Sequence, residues 1–399
     1  MKVLQINAVF GTGSTGQIVK DVGEMLVANG HEAYYAYQSC DSRPQNGFKV
    51  GGLLDEKLHA VWTRLTGRQG YWSRRATRRL IRWIKSVGPD VVHLHNLHSN
   101  YVHFNTLTEF LAEANVPTVI TMHDCWYFTG KCSHYLPFRC ERWTTGCGSC
   151  PALSAEVKSW LFDRTKRTVL DRTAHINAIR NVTLVGCSRW IADEARRSLI
   201  GGKKIDVAYN GVDTALFMPH ESDFRRAHGI GDTEFLVMGM AGKWCDRKNV
   251  EGAKSVVRQN PDVKFVIIGE EAKDAFGDCD NVVVVDYISD KRQLADAYSA
   301  SDVFVNLTRA DTLPTVNMEA LCSGTPVITF DVGGSPELVR EGDGHVVSEG
   351  DFDAVSKKIR LEMSAPTRVD VGAAAQRFDR RECYKKYLQI YNYTAGEGK

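Results

Sequence analysis

A chain of 399 residues is too long for one hydrophobic core, because single cores stop growing at roughly 250–300 residues; two domains are expected. Hydrophobic residues at 43% and charged residues at 25% fit a soluble globular protein and exclude disorder or a coiled coil. Lys+Arg 50 against Asp+Glu 48 excludes a basic nucleic-acid coat, so any basic function must come from clustering.

The first half alternates short β-rich runs with helical patterns. Lys2–Phe10, Glu32–Gln38, Asp90–Leu94, Thr118–Met122, Val182–Gly186 and Lys204–Tyr209 read as strands. Ile18–Asn29, Trp72–Val87 and Thr106–Ala114 read as helices between them. The opening run is broken by Gln5 and Asn7, so it predicts a buried first strand of a cytoplasmic protein and not a signal peptide. After a turn near Asn210–Pro219 the rhythm resumes, with strands at Phe235–Ala241, Lys264–Gly269, Asn281–Val285, Val303–Leu307 and Pro326–Phe330. The longest plain apolar run is Val282–Val285, far short of the ~18 residues of a membrane span. Such alternation implies parallel sheets with crossover helices, here an α/β chain of two doubly wound, Rossmann-like domains. The expected domains are 1–213 and 214–373, with a Cys-rich insertion at 125–150. A last amphipathic helix is expected within 374–399.

Four motifs carry chemistry. Gly11-Thr12-Gly13-Ser14-Thr15-Gly16 lies between a strand and a helix, where glycines let the backbone approach an anion. A dinucleotide fold also needs an acid ending the second strand, and that strand ends in Gln38-Ser39-Cys40. The loop therefore faces some phosphate or sugar, or is a structural turn. His123-Asp124 closes a predicted strand, the edge where open α/β sheets hold ligands. His93, His95, His98 and His103 lie nearby in sequence, and His93 and His95 alternate as if lining the same cleft. Lys243 and Lys248 flank a Gly-led loop at a helix start; cations there are unfavourable unless an anion such as a diphosphate is bound. Asp311 and Glu319 are separated by seven residues, the first on a loop and the second in a helix. Carboxylates accept paired hydrogen bonds from vicinal hydroxyls, which suits a ribose and a second sugar. Gly333-Gly334 and Glu337 follow.

In this order the motifs resemble the family 4 retaining glycosyltransferases of the GT-B fold. The stretch from His123 to Pro151, with its Trp126, Cys132 and Cys147-Gly148-Ser149-Cys150, looks like the colanic-acid and capsule subgroup. Asp311 stands where that family usually has Glu. The resemblance implies two domains facing a cleft: an N-terminal acceptor domain, onto which the last helix crosses back, and a C-terminal sugar-nucleotide domain. Lys243 and Lys248 would meet the donor diphosphate, Glu319 the ribose, and Asp311 the donor sugar. His123 and Asp124 would sit at the reacting centre. Gly13, Gly333 and Gly334 would offer backbone amides, with Glu337 beside them at the donor. No cofactor is implied for catalysis. The donor would carry UDP or GDP, and the acceptor would be a glycan or a lipid-linked oligosaccharide in exopolysaccharide or capsule assembly.

Two clusters remain. Cys132-x7-Cys140-x6-Cys147-x2-Cys150 supplies four thiolates for a structural zinc, with reduced core thiols or disulfides as the alternatives. Arg64, Arg68, Arg74, Arg75, Arg78, Arg79, Arg82 and Lys85 come with no acid between them. They predict contact with an anionic membrane surface, hence a protein peripheral on the inner face of the cell membrane; no nucleic acid is expected. Two other classes stay open at this point: a NAD-dependent sugar-nucleotide oxidoreductase or epimerase, and a non-catalytic zinc and membrane-binding adaptor.

Overall fold

A computed structural model describes residues 1–396. The chain forms two compact units, one of Met1–Asn210 with the C-terminal stretch from Cys383, the other of Gly211–Glu382.

In unit 1, seven parallel strands form one sheet: β1 (Lys2–Ile6), β2 (Glu32–Tyr37), β3 (Gly47–Lys49), β4 (Val91–Leu94), β5 (Thr118–Met122), β6 (Val182–Gly186) and β7 (Lys204–Val207), in the order β3-β2-β1-β4-β5-β6-β7. Strands β4, β5 and β6 are buried along their whole length. That is why they read as near-continuous runs rich in Val, Ile, Leu and Thr, His93 apart, and not as alternation. The expected first strand, Lys2–Phe10, stops at Ile6. Asn7 turns the chain out, its Nδ2 donating to the Val9 carbonyl (2.8 Å) and its Oδ1 accepting from the Asn96 amide (3.0 Å). Four helices matter below: α1 (Gly13–Ala28), α2 (Leu53–Thr66), α3 (Arg74–Val87) and α4 (Phe104–Glu113). Helix α1 starts at Gly13, so the glycine motif supplies its first turn. Gly11 (φ 73°) and Gly13 (φ 62°) both take the left-handed conformation. Helix α5 (Thr165–Ala178) follows the Cys-rich insertion.

Unit 2 repeats the plan with β8 (Leu236–Met240), β9 (Lys264–Ile268), β10 (Val282–Val285), β11 (Val303–Asn306), β12 (Val327–Phe330) and β13 (Gly344–Val347), in the order β10-β9-β8-β11-β12-β13. Its α6 (Val250–Gln259) follows β8, and α7 (Thr315–Cys322) follows β11. In each sheet the winding reverses once, between β1 and β4 and between β8 and β11. A crevice outside the strand ends at such a reversal is where open α/β sheets bind ligands.

The C-terminal pattern is not one helix. It breaks at Asp379 between Val371–Phe378 and α8 (Arg380–Ala395). The Val212 backbone enters the break, its amide donating to the Phe378 carbonyl (2.8 Å) and its carbonyl accepting from the Arg380 amide (3.0 Å). Gly211 permits the approach, since a Cβ there would lie 2.5 Å from the Arg380 Cα. This clasp keeps residues 374–382 with unit 2, so the boundary drawn at 373/374 moves to Glu382/Cys383. Beyond it, Tyr384, Tyr387 and Tyr391 recur at i, i+3, i+7 and pack with Val3, Val91 and Val119 of the unit 1 sheet. Residues 397–399 of the expected terminal helix lie outside the described residues.

Candidate donor and acceptor sites

In unit 2 the chain leaves β8 into a short turn, Ala241–Trp244, that carries Lys243. Trp244 Nε1 donates to the Val305 carbonyl (2.9 Å), pinning the turn across the reversal point onto β11. Asn249 is buried beside it. Its Nδ2 donates to the carbonyls of Lys243 (2.8 Å) and Leu307 (2.6 Å), and its Oδ1 accepts from Arg309 Nε (2.6 Å). All three bonds tie the lysine loop to the loop after β11. Lys248 is exposed, with its amide donating to Asp246 Oδ1 (2.9 Å).

Asp311 sits on the loop after β11. Its Oδ1 accepts from the Leu313 amide (3.1 Å), and its carbonyl accepts from the Gly334 amide (3.1 Å). Gly333 has φ 59°, and a Cβ there would come within 1.9 Å of the Asp311 carbonyl oxygen. Only glycine lets these two loops touch. Glu337 follows in the 3-10 turn Ser335–Leu338. Glu319 is in α7, 8% exposed. Burial pushes its carboxyl up from 4.5 to about 7, with Lys291 and a hydrogen bond from Tyr298 OH (3.4 Å) opposing the rise.

The unit 1 strand ends hold a histidine relay. Gln5 Nε2 donates to the Val19 carbonyl (3.0 Å), which orients its Oε1 toward His95 Nε2 (3.1 Å). Since that oxygen only accepts, the His95 proton is on Nε2. His95 Nδ1 must then accept from His123 Nε2 (3.0 Å), which leaves the lone pair of neutral His123 on Nδ1. Burial lowers His123 to about 4 and pulls His95 well below 6.5, so the relay is uncharged at neutral pH. Asp124 takes another partner, His98, whose Nε2 is 2.9 Å from Oδ2; its Oδ1 accepts from the Trp126 amide (2.9 Å). Burial pulls His98 down, but the Asp124 carboxylate more than offsets it and the imidazole is raised. His98 lines a cavity of about 590 Å³ with Gln38, Ser39, Gly51, Gln69 and Asn100. His93 and His95 do not line an open wall: both are fully buried, and His93 is held by Tyr391 OH (2.8 Å) and Thr121 Oγ1 (2.7 Å). His103 caps α4.

The insertion is welded to α5 by buried Arg172, which donates to the Trp126 and Thr129 carbonyls and lies 3.5 Å over the Trp126 ring. Cys132, Cys140, Cys147 and Cys150 line one cavity of about 20 Å³, and the Gly130 amide donates to Cys147 Sγ (3.2 Å). These thiols are free, and Cys132 and Cys150 hydrogen-bond to each other. Among the described residues, no three His, Cys, Asp or Glu side chains are grouped closely enough to hold a metal ion.

The structure thus brings Lys243 to the Asp311 loop through Asn249, and Asp311 to Gly333–Gly334. It joins His123 to His95, and Asp124 to His98. Sequence reasoning missed Gln5, Asn249, Arg309 and Tyr298. For Asn249 the one available signal was its place directly after Lys248, at the start of a helix.

Two doubly wound, all-parallel units with polar groups gathered at their strand ends have the GT-B fold. The chain belongs to glycosyltransferase family 4: that family's pattern matches residues 15–216, and the pattern of the group 1 glycosyl transferases matches residues 221–378. It is 24% identical over 404 residues to a putative colanic acid biosynthesis glycosyl transferase, WcaC of Escherichia coli K12, covering 96% of this chain and 95% of that protein. Its fold is similar to sucrose-phosphate synthase from Thermosynechococcus elongatus (TM-score 0.72, 18% identity, 100% of both chains). HepE from Anabaena, solved in complex with UDP-glucose, is also similar (TM-score 0.63, 14% identity, 98% of this chain and 100% of that one).

Proposed function

We propose that the protein is a retaining glycosyltransferase that moves a sugar from UDP, or alternatively GDP, to a glycan on a lipid carrier during exopolysaccharide or capsule assembly. The observation that carries the donor half is the joining of the Lys243 loop to the Asp311–Gly333 contact by Asn249, at the reversal point of the unit 2 sheet. Two lysines supply cations for a diphosphate, and two carboxylates supply acceptors for sugar hydroxyls. Lys243 and Lys248 take the diphosphate, Glu319 the ribose, and Asp311 the donor sugar. Gly333 and Gly334 give amides, with Glu337 beside them. The diphosphate charge is met by the lysines, so the scheme calls for no catalytic metal.

Unit 1 takes the acceptor, with His123 and Asp124 at the reacting centre, while Gly13 at the start of α1 offers its amide to the donor. An acceptor hydroxyl attacks the anomeric carbon from the face the diphosphate leaves. The new C–O bond forms as the C–O–phosphate bond breaks, and the hydroxyl proton passes to a phosphate oxygen. His123, uncharged at the end of the relay, sits beside the reacting sugar there. A structural zinc on the insertion's four cysteines would require their side chains to close in, since they line one cavity but are not grouped closely enough to hold the ion as they stand. The protein works in the cytoplasm, peripheral on the inner membrane face through the Arg64–Lys85 region.

Calorimetry with UDP, GDP and NAD on wild type and Glu319→Ala tests the assignment. Binding of UDP or GDP that is lost in the folded variant supports it and names the base. NAD binding alone, or no nucleotide binding, would refute it.

A further inference from the structure

Away from both strand-end sites, one face of unit 1 is unlike an ordinary soluble surface. A helix turns about 100° per residue, so α2 carries Leu54, Leu58, Val61, Trp62 and Leu65 along one stripe and its buried His59 and Thr63 on another. The stripe faces out: Leu54 is 71% exposed, Leu58 51% and Trp62 47%. Where α2 ends, the Trp160 amide donates to the Arg64 carbonyl (2.8 Å), which brings the exposed Trp160, Leu161 and Phe162 to the same end. Scattered exposed apolar residues need no explanation, but a contiguous run of this extent marks a contact surface.

Beside the stripe, α2, α3 and the start of α4 enclose a cavity of about 770 Å³ whose wall carries Arg68, Arg74, Arg75 and Arg78. The two acids on that wall are engaged elsewhere. Asp55 accepts from the Gly52 amide (3.1 Å), and Glu109 lies 4.0 Å from His175. Arg74 Nε lies 3.0 Å from His103 Nε2, and Arg68 is 4.0 Å from Asp171. Among the described residues neither Arg75 nor Arg78 has an ion pair. Four residues of the wall also hold a buried polar atom with no hydrogen-bond partner: His59 Nε2, Arg68 Nε, Trp72 Nε1 and Asn105 Oδ1. His59 is 1% exposed, and its other nitrogen is already taken by Ser73 Oγ (2.9 Å). Buried polar atoms are seldom left unpaired without a reason, and three of these four belong to groups that can donate to an anion.

An apolar stripe, interfacial tryptophans and unpaired arginines together match one environment, the headgroup region of an anionic bilayer. We propose that this face docks on such a bilayer, with α2's stripe and residues 160–162 entering the interfacial layer and the arginine-lined cavity taking the phosphate of one lipid headgroup. This goes beyond a general attraction of basic residues to a membrane, and it does not rest on the identity of the sugar donor.

Co-flotation of the full chain with vesicles of phosphatidylcholine, with and without phosphatidylglycerol, tests it, with UDP binding measured on every sample. The expected result is flotation with the anionic vesicles alone. Leu54→Asp/Leu58→Asp/Trp62→Asp should weaken it by about tenfold or more at all salt concentrations. Arg75→Ala/Arg78→Ala should weaken it by about tenfold at low salt and flatten its salt dependence. Both variants should keep wild-type UDP affinity. Should the triple variant fail to fold, quenching by brominated lipid gives a second measure: it should fall in Trp62→Phe/Trp160→Phe. Equal flotation with neutral vesicles, undiminished flotation of both variants, or a stripe buried instead in a stable dimer of this chain would each overturn the proposal. Binding of glycerol phosphate in solution that is lost in Arg75→Ala/Arg78→Ala, with no flotation on anionic vesicles, would overturn the lipid as the source of the phosphate. Failure of UDP binding with flotation intact would strike the donor assignment only.

Discussion

Glu319→Gln should make the protein more stable and a poorer binder at once. The carboxyl titrates at 4.5 in the unfolded chain and at about 7 in the fold, because burial disfavours its charge. For an acid with a raised value, the unfolded state ionises first, so stability falls as pH rises from 4.5 to 7 and stays lost above that. At ~1.36 kcal/mol per pH unit, the wild type gives up about 3 kcal/mol across this window, and the neutral amide gives up none. Urea midpoints of both proteins should therefore lie close together at pH 4.5, separate steadily up to about pH 7 and then stay apart, with the variant higher. A gap that did not widen with pH would refute the burial argument.

The binding side runs the other way. A diol donates two hydrogen bonds and so needs the ionised carboxylate as acceptor. UDP binding should then drive deprotonation of Glu319. Wild-type affinity should fall about tenfold between pH 8 and pH 6, with proton release seen as a dependence of the heat on buffer ionisation. The Gln variant should bind weakly and without this pH dependence. Tight, pH-independent UDP binding by the wild type would remove Glu319 from the ribose.

Gly333→Ala places a Cβ 1.9 Å from the Asp311 carbonyl at a left-handed φ, so the two loops must part. Donor kcat/KM should fall about a hundredfold, since small misplacements of reacting groups cost that much, and an unchanged value would uncouple Asp311 from catalysis. His95→Leu removes the acceptor that fixes the His123 proton on Nε2; kcat should fall by about a hundredfold with UDP affinity unchanged, and retained kcat would make the relay structural. Metal analysis should find one zinc per chain, lost in Cys147→Ser/Cys150→Ser, whereas freely titrating thiols without metal would dismiss the site.

The sequence carried the sheets well because their central strands are buried on both faces. Thr118–Met122 and Val182–Gly186 agree with the structure at both ends. The edge strands Gly47–Lys49 and Gly344–Val347 went unread, being short, glycine-bearing and half-exposed. Helix α2 went unread for the opposite reason to most: its leucines face outward, and the side it buries is marked only by His59 and Thr63. Periodicity reports where apolar residues fall, and it assumes that they point inward. Where they point to a second apolar phase the pattern gives no core to find.

The motifs were legible as residue types, but what arranges them was not. Asp311 and Gly333 are far enough apart in sequence that no spacing rule connects them, yet the missing Cβ is what seats one loop on the other. Asn249 reads as a helix-start residue, and in the fold its three hydrogen bonds hold the lysine loop to the loop that carries Asp311. The same holds for charge. Nothing in the letters His93, Leu94, His95 says that both imidazoles are uncharged; complete burial does that, and Gln5 then decides which nitrogen of His95 keeps its proton. His123 inherits its tautomer from that choice. A glutamine near the amino terminus thus sets the hydrogen-bonding character of a histidine more than a hundred residues away, through two imidazoles and no charge.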